Sequence, residues 1–179
     1  NALHLINNQT ALIGSQEGFS LFNYQTRTFT NYKGQAINKQ NNYLRGVTTF
    51  DEDPQGNYWL GTSGLGIMKW NPKTFQIQGY NRSSSQTMVF PEDFIFQTSR
   101  FSDGNILTLG LGRLSLIDIH KLQTTTFRNS KKPVLNLKDI QLIHELGQDK
   151  CYLLQPNGNT YFYDYLLDSL THMGNFLIT

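Results

Sequence analysis

Four glycines, Gly18, Gly64, Gly112 and Gly158, recur at spacings of 46, 48 and 46 residues, and this regularity constrains the fold more than any other feature of the chain. A second series, Gln25, Asn71, Asp118 and Asp164, follows an aromatic residue or Ile each time and recurs at 46, 47 and 46. Two independent series with one period mark a tandem repeat. A period in the forties fits propeller blades or helical repeats of HEAT type. Helical repeats need an apolar stripe at helical spacing, and no window of ten or more residues carries a clean one.

The segments before the repeat glycines are short and apolar: Ala11–Ile13, Tyr58–Leu60, Ile106–Leu107 and Cys151–Leu154. Bounded by turn residues, they predict strands buried on both faces. After each glycine comes a more alternating segment: Phe19–Phe22, Ile67–Trp70, Leu114–Ile117 and Tyr161–Tyr163. Mostly polar segments follow at Thr28–Tyr32, Phe75–Gln78, Thr124–Phe127 and Ser169–His172, as suits an edge strand near solvent. A further strand is expected ahead of each apolar run, at Leu3–Ile6, Val47–Phe50, Phe94–Thr98 and Ile140–His144. Asp53-Pro54-Gln55-Gly56 and Ser102-Asp103-Gly104 are strong turn sequences between them. The prediction is an all-β chain, a β-propeller fragment of about four blades, each a four-stranded antiparallel meander. Blades fall at 3–32, 47–80, 94–127 and 139–173, with 174–179 opening a further one, together one partial propeller domain. Residues 1–2, Asn-Ala without an initiator Met, are expected to be the remnant of a cleaved expression tag.

Composition narrows the function classes. Of 179 residues, 17 are Asn and 14 are Gln, whereas only 16% are charged, which excludes a coiled coil and a charge-driven disordered tail. The net charge of +2 is too small for an electrostatic footprint on nucleic acid. One cysteine allows neither an internal disulfide nor a cysteine-based zinc site.

The second repeat carries a motif. Asp53, Gly56, Trp59, Gly61, Thr62 and Gly64 stand in the order and spacing of the two-component regulator propeller repeat, which this segment resembles. The first repeat keeps Gly14, Ser15 and Gly18; the third keeps Asp103, Gly104, Gly112 and Asp118, with Leu107 in the Trp position; the fourth keeps mainly Gly158 and Asp164. The resemblance spans the chain by period and is specific across residues 46–80. It implies the periplasmic sensor region of a hybrid two-component histidine kinase of Bacteroidetes type. Such regions carry seven-bladed propellers, often sense carbohydrates, and are followed by a membrane helix and the kinase. Four repeats are then about half a propeller, whose partners are the remaining blades, the kinase region and an oligosaccharide. The same resemblance implies no catalysis in this segment and no cofactor.

Candidate ligand contacts are Tyr43, Arg45, Arg82, Glu92, Arg100 and Arg113, sought in the connections between repeats, where Arg forks and Tyr hydroxyls can bond sugar hydroxyls. Trp59 and Trp70 can stack on a sugar face or pack between blades; Trp59, in an all-apolar run, reads as core, whereas Trp70 keeps both readings. Asp51–Gly56 has an acidic start but lacks the bidentate Glu of a calcium loop, so Asp53 is expected to accept backbone N–H bonds in a turn. His4, His120, His144 and His172 show no metal-ligand spacing. Two other classes stay open: a quinoprotein-type propeller enzyme, whose docking tryptophan recurs in most blades but here in one repeat of four, and a protein-interaction scaffold. Blades without an outer neighbour should expose apolar strips from Leu12-Ile13 and Tyr152–Leu154, so the isolated fragment is expected to self-associate.

Overall fold

The computed structural model describes residues 2–33, 46–82, 88–111, 114–126 and 140–176. Among these there is no helix. Sixteen strands form four separate four-stranded antiparallel sheets, each in sequential order. Blade 1 comprises β1 (Leu3–Asn7), β2 (Thr10–Ser15), β3 (Gly18–Asn23) and β4 (Thr28–Lys33). Blade 2 comprises β5 (Val47–Glu52), β6 (Tyr58–Thr62), β7 (Ile67–Trp70) and β8 (Ile77–Tyr80). Blade 3 comprises β9 (Ile95–Arg100), β10 (Ile106–Gly110), β11 (Leu114–Asp118) and β12 (Gln123–Thr126). Blade 4 comprises β13 (Leu142–Gly147), β14 (Lys150–Leu154), β15 (Asn159–Asp164) and β16 (Ser169–Asn175).

The core lies between blades rather than within them. Leu12, Phe19 and Tyr32 of blade 1 pack on Phe50, Tyr58, Leu60 and Trp70 of blade 2. Trp59, Ile67 and Tyr80 of blade 2 meet Ile95, Ile106 and Ile117 of blade 3. Leu107, Leu109 and Leu114 of blade 3 meet Ile143, Cys151, Leu153 and Tyr161 of blade 4. A strand with neighbours on both sides must be apolar on both faces, and β6 and β10 are buried at every position. The first strands of successive blades are joined by polar side chains. The Thr48 hydroxyl donates to Ile95 O at 2.5 Å, and the Thr49 and Thr98 hydroxyls share a 2.8 Å bond. The Gln97 amide accepts from Ile143 N–H at 2.9 Å and donates to Ile143 O.

Each signature residue has a structural task in blade 2. Gly56 turns with φ +77, a conformation that other residues seldom adopt. Gly61 sits where a Cβ would lie 2.5 Å from Thr49 Cγ2 and 2.7 Å from Ile95 Cγ2, so only glycine lets β6 approach blade 3. Thr62 donates its hydroxyl to Gly66 O at 2.7 Å and accepts Leu65 N–H at 3.0 Å, closing the β6–β7 turn. Gly64 N–H donates to Asp93 O at 2.8 Å, tying that turn to the connection that follows.

The exposed flank differs from the sequence expectation in its source. Leu12 and Leu153 are buried, because alternation along β2 and β14 sends one face to the inner neighbour. Ile13, Tyr152 and Leu154 are half-buried on the outer faces, and the most exposed residues there come from the first and fourth strands: Leu3, Leu5 and Phe29 in blade 1, Leu142 in blade 4. In the register, Leu5, Ala11, Phe22 and Phe29 form one row across blade 1.

Candidate functional site

The β6–β7 turn and the described residues between blades 2 and 3, 81–82 and 88–94, meet at one end of the propeller arc. There the β6–β7 turn grips the connection into blade 3. Gly64 and Gly66 N–H both donate to Asp93 O at 2.8 Å. Gly66 has φ +74, and a Cβ on it would lie 2.3 Å from Tyr80 O. Gly110 is similarly bare, and a Cβ there would meet Glu92 Cγ at 2.9 Å. Two glycines thus let the connection settle into the junction of blades 2 and 3, and Glu92 sinks with it.

Arg82 is the exposed cation of this junction. Its Nε donates to Pro91 O at 2.6 Å, which fixes the guanidinium plane. Its Nη2 lies 3.9 Å from Glu92 Oε2 and its Nε 3.9 Å from Asp93 Oδ2, while 56% of the side chain stays accessible. With Glu92, Asp93, Phe94 and Leu111 it lines a cavity of about 230 Å³. Phe94 is 41% exposed, so an apolar side chain stands beside a fork of N–H donors and two carboxylates. Such a set can bond several hydroxyls of a small polar ligand and pack against its apolar face.

The other sequence candidates scatter. Tyr43, Arg45 and Arg113 lie outside the described residues. Arg100 was sought in a connection, but it ends β9 at the opposite end of the arc, where it lines a cavity of about 430 Å³ with Glu52, Asp53, Pro54, Gln55 and Gly56. Glu92 was expected to be exposed and is buried, because Gly66 and Gly110 leave room for it. Trp70 is wholly enclosed, its ring 4.9 Å from Phe19, 5.4 Å from Tyr32 and 5.6 Å from Tyr58 between ring centroids. It offers a ligand no surface, so its packing reading holds and its sugar-stacking reading does not. Trp59 is likewise enclosed and stacks on Tyr80 at 5.8 Å. Asp93, Phe94 and Leu111 carried no signal in the sequence, because only the fold brings residue 111 beside residue 94.

Asp53 accepts the turn hydrogen bonds expected of it, from Gln55 N at 3.0 Å and Asn57 N at 2.9 Å. It does more than the sequence indicated: Asn57 Nδ2 and Trp59 Nε1 also donate to it, and Lys69 Nζ approaches within 3.4 Å. Burial alone would push this carboxyl up, but the Asn57 and Trp59 bonds and the Lys69 charge outweigh it, and it titrates below the ordinary range. Asp51, two residues earlier, goes the other way. Burial pushes it up to about 6, with Glu145 adding to the rise, and the Thr98 hydroxyl and Arg100 only partly oppose this. One of its oxygens, Oδ2, is buried without a hydrogen-bond partner. Burial also holds the His4 imidazole below its usual value.

Four sheets stacked face to face in chain order, joined through their first strands, define an arc of a β-propeller. The most informative likeness is to the extracellular domain of BT3049 of B. thetaiotaomicron, described as a hybrid two-component system. It matches with a TM-score of 0.76 and 18% identity over 100% of this chain and 24% of that one. The extracellular domain of BT4673 from the same organism, also described as a hybrid two-component system, matches with a TM-score of 0.71 and 12% identity over 98% of this chain and 22% of that one. U3-55K matches with a TM-score of 0.70 and 9% identity over 96% of this chain and 50% of that one. At these identities the likeness establishes the fold, which functionally different propellers share. The chain spans about a quarter of the two extracellular domains. No protein-family model and no curated protein matches it.

Proposed function

We propose that this chain is four blades of an extracytoplasmic sensor propeller in a two-component regulator, and that it binds ligand rather than transforming it. Its place is periplasmic, ahead of a membrane anchor and a histidine kinase to which it signals. The observation that carries the reading is the overlap of the whole chain with about a quarter of two extracellular domains of two-component systems, combined with the regulator-propeller motif at Asp53–Gly64. The flanks of blades 1 and 4 meet the remaining blades in the parent protein, and in the isolated chain they drive self-association.

The ligand pocket in this reading is the blade 2–3 junction around Arg82, and its ligand an oligosaccharide. Hydroxyls would bond the Arg82 fork and the Asp93 carboxylate while a sugar face packs on Phe94. Titration calorimetry against a panel of neutral and acidic oligosaccharides tests this. One member should bind, and Arg82→Ala should weaken it about tenfold or more, the loss typical of a charged hydrogen-bonding group. Absence of binding across the panel, or binding that Arg82→Ala leaves unchanged, overturns the pocket assignment.

A further inference from the structure

The blade 2–3 junction also restricts the charge of what can bind there, and the restriction begins with the β6–β7 turn. A glycine-rich turn can hold an anion on its successive backbone N–H groups. Here each N–H from Thr62 to Gly66 is already used within the chain. Thr62 N–H donates to Gly66 O at 3.1 Å, Ser63 N–H to Gly46 O at 2.8 Å and Leu65 N–H to the Thr62 hydroxyl at 3.0 Å. Gly64 and Gly66 N–H both donate to Asp93 O. The turn therefore keeps no amide for a carboxylate, sulfate or phosphate.

Side-chain donors are equally committed. Among the described residues lining the cavity, Arg82 is the one cation, and it faces the carboxylates of Glu92 and Asp93. Its Nε is bonded to Pro91 O, and an oxygen of each carboxylate stands 3.9 Å from the guanidinium. An anion reaching for the outer Nη edge would bring a third negative group into the cavity. Water screens that repulsion poorly, because the Glu92 side chain is only 4% exposed. A hydroxyl or ammonium group meets the opposite situation, since it donates to the Asp93 carboxylate, whose side chain is 39% exposed. The backbone carbonyl of Asp93 holds the turn, which leaves its carboxylate to face a ligand.

We propose that this junction selects a neutral or amino-bearing oligosaccharide and rejects sugar acids, with the Asp93 carboxylate as the discriminating group and Glu92 behind it. The inference rests on the junction being the ligand pocket and adds the sign of charge that the pocket accepts. Hydroxyls of a neutral sugar use both the Arg82 fork and Asp93; an amino group uses Asp93 more strongly, through a charge-assisted bond. A uronate gains one such bond from Arg82 and meets two like charges beside it.

Titration calorimetry on the 179-residue chain tests the proposal. The probes are cello-, xylo- and malto-oligosaccharides as neutral sugars, chitosan oligomers as amino sugars, and oligogalacturonate and alginate oligomers as sugar acids. At about pH 6 and low salt, where charge effects are largest, a neutral or amino probe should bind and the acidic ones should not. Asp93→Asn should narrow the gap between acidic probes and the others by about tenfold, with an unchanged thermal midpoint. Glu92→Gln, matched in size, should narrow it in the same direction. An acidic probe whose binding Arg82→Ala abolishes would keep the pocket and overturn the charge selection, and so would an Asp93→Asn variant with an unchanged gap. If no probe binds in a way that depends on Arg82, the pocket and the selection fall together.

Discussion

Blades 2 and 4 follow one plan and bury it differently. In blade 2 every residue of β6 is inaccessible; in blade 4 the equivalent strand β14 buries only alternate residues, Cys151 and Leu153. The runs Tyr58-Trp59-Leu60 and Cys151-Tyr152-Leu153-Leu154 are similarly apolar. The difference therefore lies in the neighbours, since blade 2 has one on each face and blade 4 is packed on one face only. Turn chemistry shows the same dependence. Blade 2 supplies its own turn carboxylate, Asp53. In blade 3 that position is Phe101; Asp103, two residues on, accepts the Asn105 N–H at 2.9 Å, and a second carboxylate comes from the next blade, where Asp149 accepts both the backbone N–H and the hydroxyl of Ser102, each at 2.5 Å. The turn carboxylate can shift along the turn and a neighbouring blade can add a second, so the motif need not survive in every repeat.

The sharpest test of this contrast is truncation at matched positions. Trp59→Ala should cost about 3–5 kcal/mol, because the cavity would open between two packed blades. Tyr152→Ala, on the half-covered face of β14, should cost less than about 1.5 kcal/mol, since the site is already partly hydrated. Urea unfolding of both variants measures this, and equal losses would mean that neighbours do not set the energetics.

Next in size is the carboxylate contrast. Asp53→Ala would strand the Trp59 indole N–H, the Asn57 donors and the Lys69 ammonium, an expected loss of about 3 kcal/mol. Asp149→Ala removes two bonds at the blade 3–4 junction and should cost about 1–2 kcal/mol. Thermal unfolding ranks the two; a larger loss at Asp149 would make the junction, not the motif turn, the stronger anchor.

Asp51 and Asp53 give a pH version of the comparison with opposite signs. The Asp51 carboxyl, raised from 3.8 to about 6, holds a proton in the folded chain where the unfolded chain has released it. Stability from this group is present below about pH 4 and declines as pH rises through 6. Asp53, with a lowered value, contributes stability above pH 3.8 that is lost on further acidification. Asp51→Asn should therefore stabilise the protein at pH 7 by about 1–3 kcal/mol and flatten the profile between about pH 4 and 6. Unfolding midpoints across that range decide it; an unchanged profile would show that Asp51 ionises freely.

The fold was legible because a repeat shows each strand four times. β7 matched its expected limits, and Leu3, Val47, Tyr58 and Ile106 each open a strand where the local pattern placed one. Asp53 was legible as a turn acceptor, but its Trp59 and Lys69 partners were not, since those contacts depend on how β6 and β7 twist past the turn. The junction around Arg82 was legible only as a cation in a connection. Its carboxylates and its ring converge through Gly66 and Gly110, whose value is the room they leave, and sequence spacing does not report room. Leu166-Leu167, 69% and 74% exposed, went unremarked because two leucines beside a strand look like core.

The smallest stability effect is expected where blade 1 lacks a neighbour. Leu5 and Phe29 lie in one row across its outer face and are already largely in water. Leu5→Ser with Phe29→Ser should therefore shift unfolding by no more than about 0.5 kcal/mol per site. Association should respond far more strongly. Burial contributes about 25 cal/mol per Å² of apolar surface, so a contact over a few hundred Å² of this face would stabilise a dimer by several kcal/mol. Light scattering on the unmodified chain should show self-association that rises with concentration, and the double variant should shift it toward monomer. Stability and association would then separate at one pair of residues, as they should if this face is an interface prepared for another blade and not part of the chain's own core. A monomer at high concentration before any substitution would instead show that the outer face of blade 1 is content with water, and that blades 1 and 2 differ in design and not merely in neighbours.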